Sequence, residues 1–103
     1  MMREGIRTYI MVDHIHTYDD LPVRIYSELD EERYEVRKIE IFKDGSIGYA
    51  YDDVEVGSTG LGEVPVPPLD EIAQDPYEIF FPKEITKAEF EKIWNEKVVK
   101  GSV

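Results

Sequence analysis

One pattern in the sequence could bind a transition metal, Asp13-His14-Ile15-His16. Alternate side chains of a β-strand share a face, so His14 and His16 would present two imidazoles side by side. A transition-metal site needs three or more protein ligands, and no second pair of ligands is visible elsewhere in the chain. We therefore expect a polar strand end, with no metal and no cofactor. A histidine-based acid–base mechanism would have to use one of these two residues, because the chain has no other histidine.

A second pattern, Gly57-Ser-Thr-Gly-Leu-Gly62, has the glycine content of a phosphate-binding loop. It lacks the lysine of such loops and does not connect a strand to a long helix. Ser27 and Ser46 carry no signature of a nucleophile. We expect a turn-rich loop here, and the sequence as a whole predicts a protein that is not an enzyme.

The most informative pattern is electrostatic. No lysine or arginine occurs between Lys43 and Lys83, although this interval contains nine acidic residues, which we call the acidic block. The remaining charges are mixed, with fourteen acids and twelve bases. The acid spacing matches no EF-hand loop. The block predicts an electronegative surface that binds a basic protein, because complementary charge speeds association and improves specificity. The predicted partner-binding residues are Asp52, Asp53, Glu55, Glu63, Asp70, Glu71, Asp75 and Glu78.

Length and composition set the frame for this surface. A chain of 103 residues predicts a single domain, residues 1–103. The net charge of −11 argues against nucleic acid and against anionic membranes as partners. The absence of cysteine excludes disulfides and zinc–thiolate sites. The N-terminal residues lack the apolar core of a signal peptide, and no apolar run reaches the length of a membrane span. We therefore expect a cytoplasmic protein.

The element expected to organise the fold is a hairpin over Tyr34–Tyr51, because Asp44-Gly45 between two β-rich runs is a strong turn signal. Two strands precede it, over 6–15 and 23–29. The apolar phase of the third strand changes at Arg37-Lys38, which indicates either a β-bulge there or a strand that buries residues on both faces. Gly48 and Ala50 are small, which indicates close approach by another element, and we interpret that element as the C-terminal helix.

After the hairpin, residues 52–82 read as a long packed loop with a short helix that follows Pro68. The capping box Thr86-Lys-Ala-Glu89 begins an amphipathic helix that is anchored by Trp94 and stops at Gly101. These elements predict an α+β fold. We expect a four-stranded, mainly antiparallel meander with the C-terminal helix packed on one face.

Three runs in this chain, YSELDEERYEVRKIEIFKDGSIGYA, GSTGLGEVPVPPLDEI and ITKAEFEKIW, are similar to a family of short acidic bacterial proteins classified as a domain of unknown function. The similarity covers about Ile6 to Trp94 and implies no catalytic residues. Proteins of this size and charge also resemble immunity proteins of bacterial toxin systems. By that analogy the chain would neutralise a cognate toxin by occluding a basic active site, such as that of a nuclease.

Two alternatives remain open at this point. The first is a regulatory or housekeeping binding module, a monomer or a homodimer that pairs through an exposed strand edge. The second is a small enzyme that uses His14, His16 and nearby acids, which requires a concave pocket containing both histidines.

Overall fold

The computed structural model describes residues 5–101. They form one six-stranded antiparallel sheet with the strand order β5-β4-β3-β2-β1-β6. The α+β class is confirmed, whereas the four-stranded sheet is wrong by two strands. The strands are β1 (Thr8–Ile15), β2 (Arg24–Leu29), β3 (Glu35–Ile41), β4 (Ile47–Tyr51), β5 (Val54–Val56) and β6 (Ile79–Ile85). The helices are α1 (Leu69–Ala73) and α2 (Lys87–Trp94), and α2 continues as a π-helical turn over Asn95–Val99.

The central hairpin forms as the sequence predicts. Gly45 has a φ of +88°, a conformation that only glycine adopts without strain. The Asp44 carboxylate accepts hydrogen bonds from the backbone N–H and the hydroxyl of Ser46, at 2.9 and 2.6 Å. Of the two interpretations of the phase change, the bulge is the one that forms, one residue before Arg37, since the β2–β3 register makes Val36 the extra residue.

The two strands that the sequence analysis missed lie at the two edges of the sheet. β5 has only three residues, too few for a visible alternation. β6 contains Pro82, which disfavours a strand unless the strand is at an edge, where a missing N–H disrupts no ladder. β6 pairs along the whole of β1 from Tyr9↔Ile85 to Ile15↔Ile79. The end of the stretch 52–82, which the sequence analysis interpreted as a loop, is therefore part of a strand that pairs with β1.

One face of the sheet, which we call the helix face, carries α2. The predicted capping box is present: Thr86 Oγ1 accepts from the Glu89 N–H at 3.0 Å, and Glu89 Oε1 accepts from the Thr86 N–H at 3.1 Å. Phe90, Trp94 and Val98 then point at the sheet at helical spacing. The resulting core consists of Tyr9, Ile39, Ile85, Phe90, Trp94 and Val98. Phe90 is fully buried and Trp94 is 8% exposed, so Phe90 anchors the helix at least as firmly as Trp94.

The opposite face, which we call the loop face, is covered by the segment 57–73 as it crosses from β5 towards β6. The second core of the protein lies on this face. It consists of Ile10, Val12 and Leu29, packed against Val66, Leu69, Ile72 and Phe80. Three polar side chains hold the segment down. Lys38 donates to the Gly60 carbonyl at 3.1 Å, Glu35 accepts from the Gly62 N–H at 2.6 Å, and Arg33 donates to the carbonyls of Val66 and Pro67 at 2.8 and 2.9 Å.

The element that approaches Gly48 closely is this crossing segment, so the assignment of that role to the C-terminal helix was wrong. A Cβ at Gly48 would collide with Oγ1 of Thr59. Thr59 is 2% exposed and donates to Glu40 Oε1 at 2.6 Å. Gly48 is thus the position where the segment docks on β4.

We expect Gly48→Ala to displace Thr59 and to lower the free energy of unfolding by about 1–3 kcal/mol, the usual cost of overpacking with a lost buried hydrogen bond. Urea denaturation measures the effect. Gly5→Ala is the matched control, because a Cβ there meets only ordinary contacts beyond 3.6 Å. Equal stability of the two variants would show that the segment does not pack on Gly48.

Candidate acidic binding surface

The structure separates the predicted partner-binding acids into two groups at opposite edges of the sheet. Asp52, Asp53 and Glu55 lie on the β4–β5 turn and on β5. Asp70 and Glu71 belong to α1, which packs against β6. Five strand spacings, about 24 Å, separate the two edges. Asp75 and Glu78 belong to the β6 group, and Glu63 lies between the groups on the crossing segment.

In the part of the chain that the structure describes, these carboxylates have no lysine or arginine side chain beside them. Within residues 5–101, no acid of the acidic block has a nitrogen of Lys or Arg within 4.0 Å. Elsewhere in the described chain, Asp13, Asp19, Glu28, Glu35 and Glu91 pair with Lys or Arg, as in Glu28–Arg37 at 2.5 Å. The other described acids outside the block also have no such pair, so what distinguishes the block is that it contains no basic residue. Seven of the eight predicted acids are exposed, and Glu78 is half-buried. Their charge is therefore directed to solvent without neutralisation by a basic side chain.

Two of the eight predicted partner-binding acids also have local structural roles. Asp75 Oδ1 accepts from the backbone N–H groups of Tyr77 and Glu78, at 2.8 and 2.9 Å. Glu78 Oε1 lies 2.7 Å from Nε2 of His14. Both acids fix the chain as it enters β6, so replacing them would alter the backbone as well as the charge.

The two histidines lie together, as their spacing predicts, with ring centroids 4.2 Å apart. His14 is buried against Phe80 and bonded to Glu78. His16 uses both nitrogens, because Nδ1 accepts from the Tyr18 N–H at 3.0 Å and Nε2 lies 2.8 Å from the Pro22 carbonyl. No group of three or more metal-binding side chains occurs among residues 5–101.

A pocket of about 410 Å³ is lined by both histidines, as the enzyme hypothesis requires. Its other walls come from Asp13, Ile15, Val23, Arg24 and Ile41. Asp13 is paired with Arg24, and the histidine nitrogens described above are already hydrogen-bonded. The geometry gives His16 a structural role, in which it holds the β1–β2 loop.

The glycine-rich stretch does not form a phosphate cradle. Thr59 is buried, and Lys38 and Glu35 occupy the Gly60 carbonyl and the Gly62 N–H. The stretch forms the first part of the cover over the loop face, which agrees with the expected turn-rich loop.

Sequence reasoning missed a polar cluster beneath α2. Arg37 bonds to Glu28 and, through two nitrogens at 2.7 and 3.1 Å, to Glu91. It also lies over the rings of Phe90 and Trp94, at 4.8 and 5.0 Å. Burial alone would lower the pKa of Arg37, but hydrogen bonds to the two carboxylates raise it, and the bond from Arg37 lowers the pKa of Glu91. No periodic pattern in the sequence predicts that an arginine on a strand pairs with a glutamate on the C-terminal helix.

The same cluster borders a groove of about 470 Å³ that contains Arg7, Tyr9 and Lys87. Burial, followed by the nearby Glu28 carboxylate, raises the pKa of the Tyr9 hydroxyl. Tyr9 donates to Glu28 Oε2 at 3.2 Å. Every buried polar side-chain atom described in the structure has a hydrogen-bond partner. The cluster therefore fastens the helix to the sheet.

A family model described as Domain of unknown function (DUF6881) matches residues 8–99. The chain belongs to this family. The resemblance inferred from the sequence runs is thereby confirmed. No curated protein and no solved structure matches the chain. The description of the DUF6881 family names no activity. In the described part of the chain, no helix has the length and hydrophobicity to span a membrane.

Proposed function

We propose that this protein is a non-enzymatic binding protein that holds a basic protein partner through the exposed carboxylates of residues 52–78. In its most concrete form, the partner is a cognate bacterial toxin, and binding occludes a basic active site such as that of a nuclease. The observation that supports the proposal is the set of solvent-directed carboxylates with no Lys or Arg neighbour, on a stretch without any basic residue.

The physical argument rests on what unpaired charge does. Carboxylates that already hold a cation are partly neutralised, whereas isolated ones contribute their full field to the surface. Such a field speeds the encounter with a cationic partner and repels polyanions, so nucleic acid and anionic membranes are not proposed as partners. A protein that acts on a toxin inside its own cell would be cytoplasmic, which completes the proposal.

The test is a comparison of two variants that remove equal charge. The first neutralises the acidic block with Asp52→Asn, Asp53→Asn, Asp70→Asn and Glu71→Gln. The control neutralises exposed acids outside the block with Glu31→Gln, Glu32→Gln, Glu84→Gln and Glu96→Gln. We expect the first variant to bind the protein captured by the wild-type chain from its source cell at least about tenfold more weakly, and the control to bind nearly as well as the wild-type chain. Equal losses would contradict a specific role for the block.

The alternative, a regulatory module that dimerises through a strand edge, has one supporting observation. β6 is a seven-residue strand at the edge of the sheet. Pro82 within it removes a donor, which is a common protection against edge pairing, and two copies of charge −11 repel each other. Light scattering at increasing concentration separates the two functions, because only the alternative predicts a dimer.

A further inference from the structure

Two distant segments without basic residues meet at one end of the sheet. The antiparallel pairing of β1 with β6 sets Ile15 opposite Ile79. The two segments 8–23 and 69–82 therefore meet at the Ile15–Ile79 end of the sheet, and neither contains Lys or Arg. Lys83, the next residue, shares a face of β6 with Phe81. Lys43 reaches in from the β3–β4 turn to Asp19 at 3.2 Å, and Arg24 reaches in to Asp13. The acids of the two segments are Asp13, Asp19, Asp20, Asp70, Glu71, Asp75 and Glu78.

The large exposed apolar side chains concentrate at the same end. Six of the eleven described in the structure belong to these two segments. Tyr77 is 89% exposed, and Ile15, Tyr18 and Ile79 line a shared groove of about 360 Å³ with it. Phe81, 61% exposed, follows Ile79 on the same face of β6. We call these five residues the end patch.

The backbone around the end patch is held in place. The Asp75 carboxylate caps the N–H groups of Tyr77 and Glu78, and Glu78 is bonded to His14. The Tyr18 ring stacks on His16 at 5.6 Å. A fixed surface loses little conformational entropy on binding, which favours affinity.

We propose that the end patch is the docking site of the basic partner, which inserts an apolar side chain among Ile15, Tyr77 and Phe81. Its Lys or Arg residues meet Asp20 and Asp75 beside the patch, and Asp70 and Glu71 on α1, which packs on the other face of the edge strand β6. This inference rests on the proposed function and assigns that function to the β6 edge rather than to the β4–β5 edge. An apolar centre with a polar rim is the usual anatomy of a protein interface, and exposed tyrosine and phenylalanine supply its strongest contacts.

The charge of the rim identifies the occupant. In a symmetric dimer the same patch is on both subunits, so a second copy would bring acid against acid. Asp20, Asp70, Glu71 and Asp75 have no Lys or Arg partner in the described structure. A partner of opposite charge gains the attraction that a second copy lacks.

The experiment uses a displayed library of random peptides sorted against the whole protein. We expect enrichment of peptides that combine Lys or Arg with a large apolar residue. Tyr77→Ser and Phe81→Ser should each weaken these binders at least about tenfold, as removal of an interface anchor does. Both side chains are exposed, so circular dichroism and thermal unfolding should show an unchanged fold.

Two charge-matched variants locate the site. Asp20→Asn with Asp70→Asn and Glu71→Gln should weaken the binders, and Asp52→Asn with Asp53→Asn and Glu55→Gln should not. The reverse result would contradict docking at the end patch, but it would be consistent with the proposed function of the acidic block. Enrichment of peptides that lack basic residues would overturn both. The inference is also wrong if no basic, apolar peptide is enriched, or if the protein dimerises in a manner that Phe81→Ser abolishes.

Discussion

Replacing Arg37 with Met is expected to lower the free energy of unfolding by about 3–5 kcal/mol at neutral pH. The substitution keeps the apolar stem of the side chain but removes the closer cation of the Glu28 carboxylate, whose side chain is 8% exposed. Among the described residues, only the half-exposed Arg7, at 3.6 Å, and the Tyr9 hydroxyl remain as its partners. The substitution also removes both hydrogen bonds to Glu91 and the contacts over Phe90 and Trp94. A buried carboxylate that loses its closest cation destabilises the folded state strongly. Urea denaturation followed by tryptophan fluorescence measures it.

Arg24→Met is the control for this variant. Arg24 also bonds to a carboxylate, Asp13, but the two side chains are 43% and 28% exposed, so water replaces the lost partner. We expect a change of less than about 1 kcal/mol, as is usual for exposed pairs. Equal losses of stability in Arg37→Met and Arg24→Met would show that the ion pairs of Arg37 are no more shielded from water than the pair of Arg24 with Asp13.

The Glu91 end of the cluster gives the expected pH dependence. The bond from Arg37 lowers the folded-state pKa of Glu91 below its unfolded-state pKa. The stabilisation of the folded state by the Arg37–Glu91 pair is therefore fully present above the unfolded-state pKa of Glu91. It is lost as the pH falls through the folded-state pKa of Glu91. The difference in stability between the wild-type protein and Glu91→Gln should narrow in acid.

Phe90→Ala is expected to cost a similar amount, about 3–5 kcal/mol. Phe90 is fully buried between the Tyr9 ring, at 5.4 Å, and the Trp94 ring, at 6.0 Å. Its removal leaves a cavity at the centre of the contact between α2 and the sheet. Since a domain of this size has about 5–15 kcal/mol in total, the variant should be close to unfolding at physiological temperature.

Val99→Ala is the matched control in the same C-terminal helical segment. Val99 is 55% exposed, and we expect a change within about 0.5 kcal/mol. Thermal unfolding followed by circular dichroism would compare the two variants. If Phe90→Ala unfolded at nearly the temperature of Val99→Ala, the packing of α2 described above would be wrong.

The sequence predicted the features whose signals are local. The Asp44-Gly45 turn and the Thr86–Glu89 capping box depend on residues within three positions of each other, and both form as expected. β6 depends on a partner about seventy positions away, and Pro82 conceals it, since a proline is compatible with a strand only at an edge that the sequence does not reveal.

The candidate site shows the same limit. The acidic block is continuous in sequence, but the fold divides it between two edges, and it places Asp70 and Glu71 beside β6 instead of beside Asp52 and Asp53. The end patch has no linear signature, because Ile15 and Tyr18 meet Tyr77 and Ile79 only through the β1–β6 register. Charge could be predicted from the sequence, whereas the place where it acts depends on topology.

The salt dependence of partner binding tests the central claim most directly. The partner is the protein that the wild-type chain captures from its source cell, and the dissociation constant is measured at increasing ionic strength for the wild-type chain and for the variant neutralised at Asp52, Asp53, Asp70 and Glu71. If unpaired carboxylates hold the partner, the wild-type affinity falls as salt screens them, and the variant binds more weakly with a shallower dependence. The same affinity and the same salt dependence for both proteins would contradict the account.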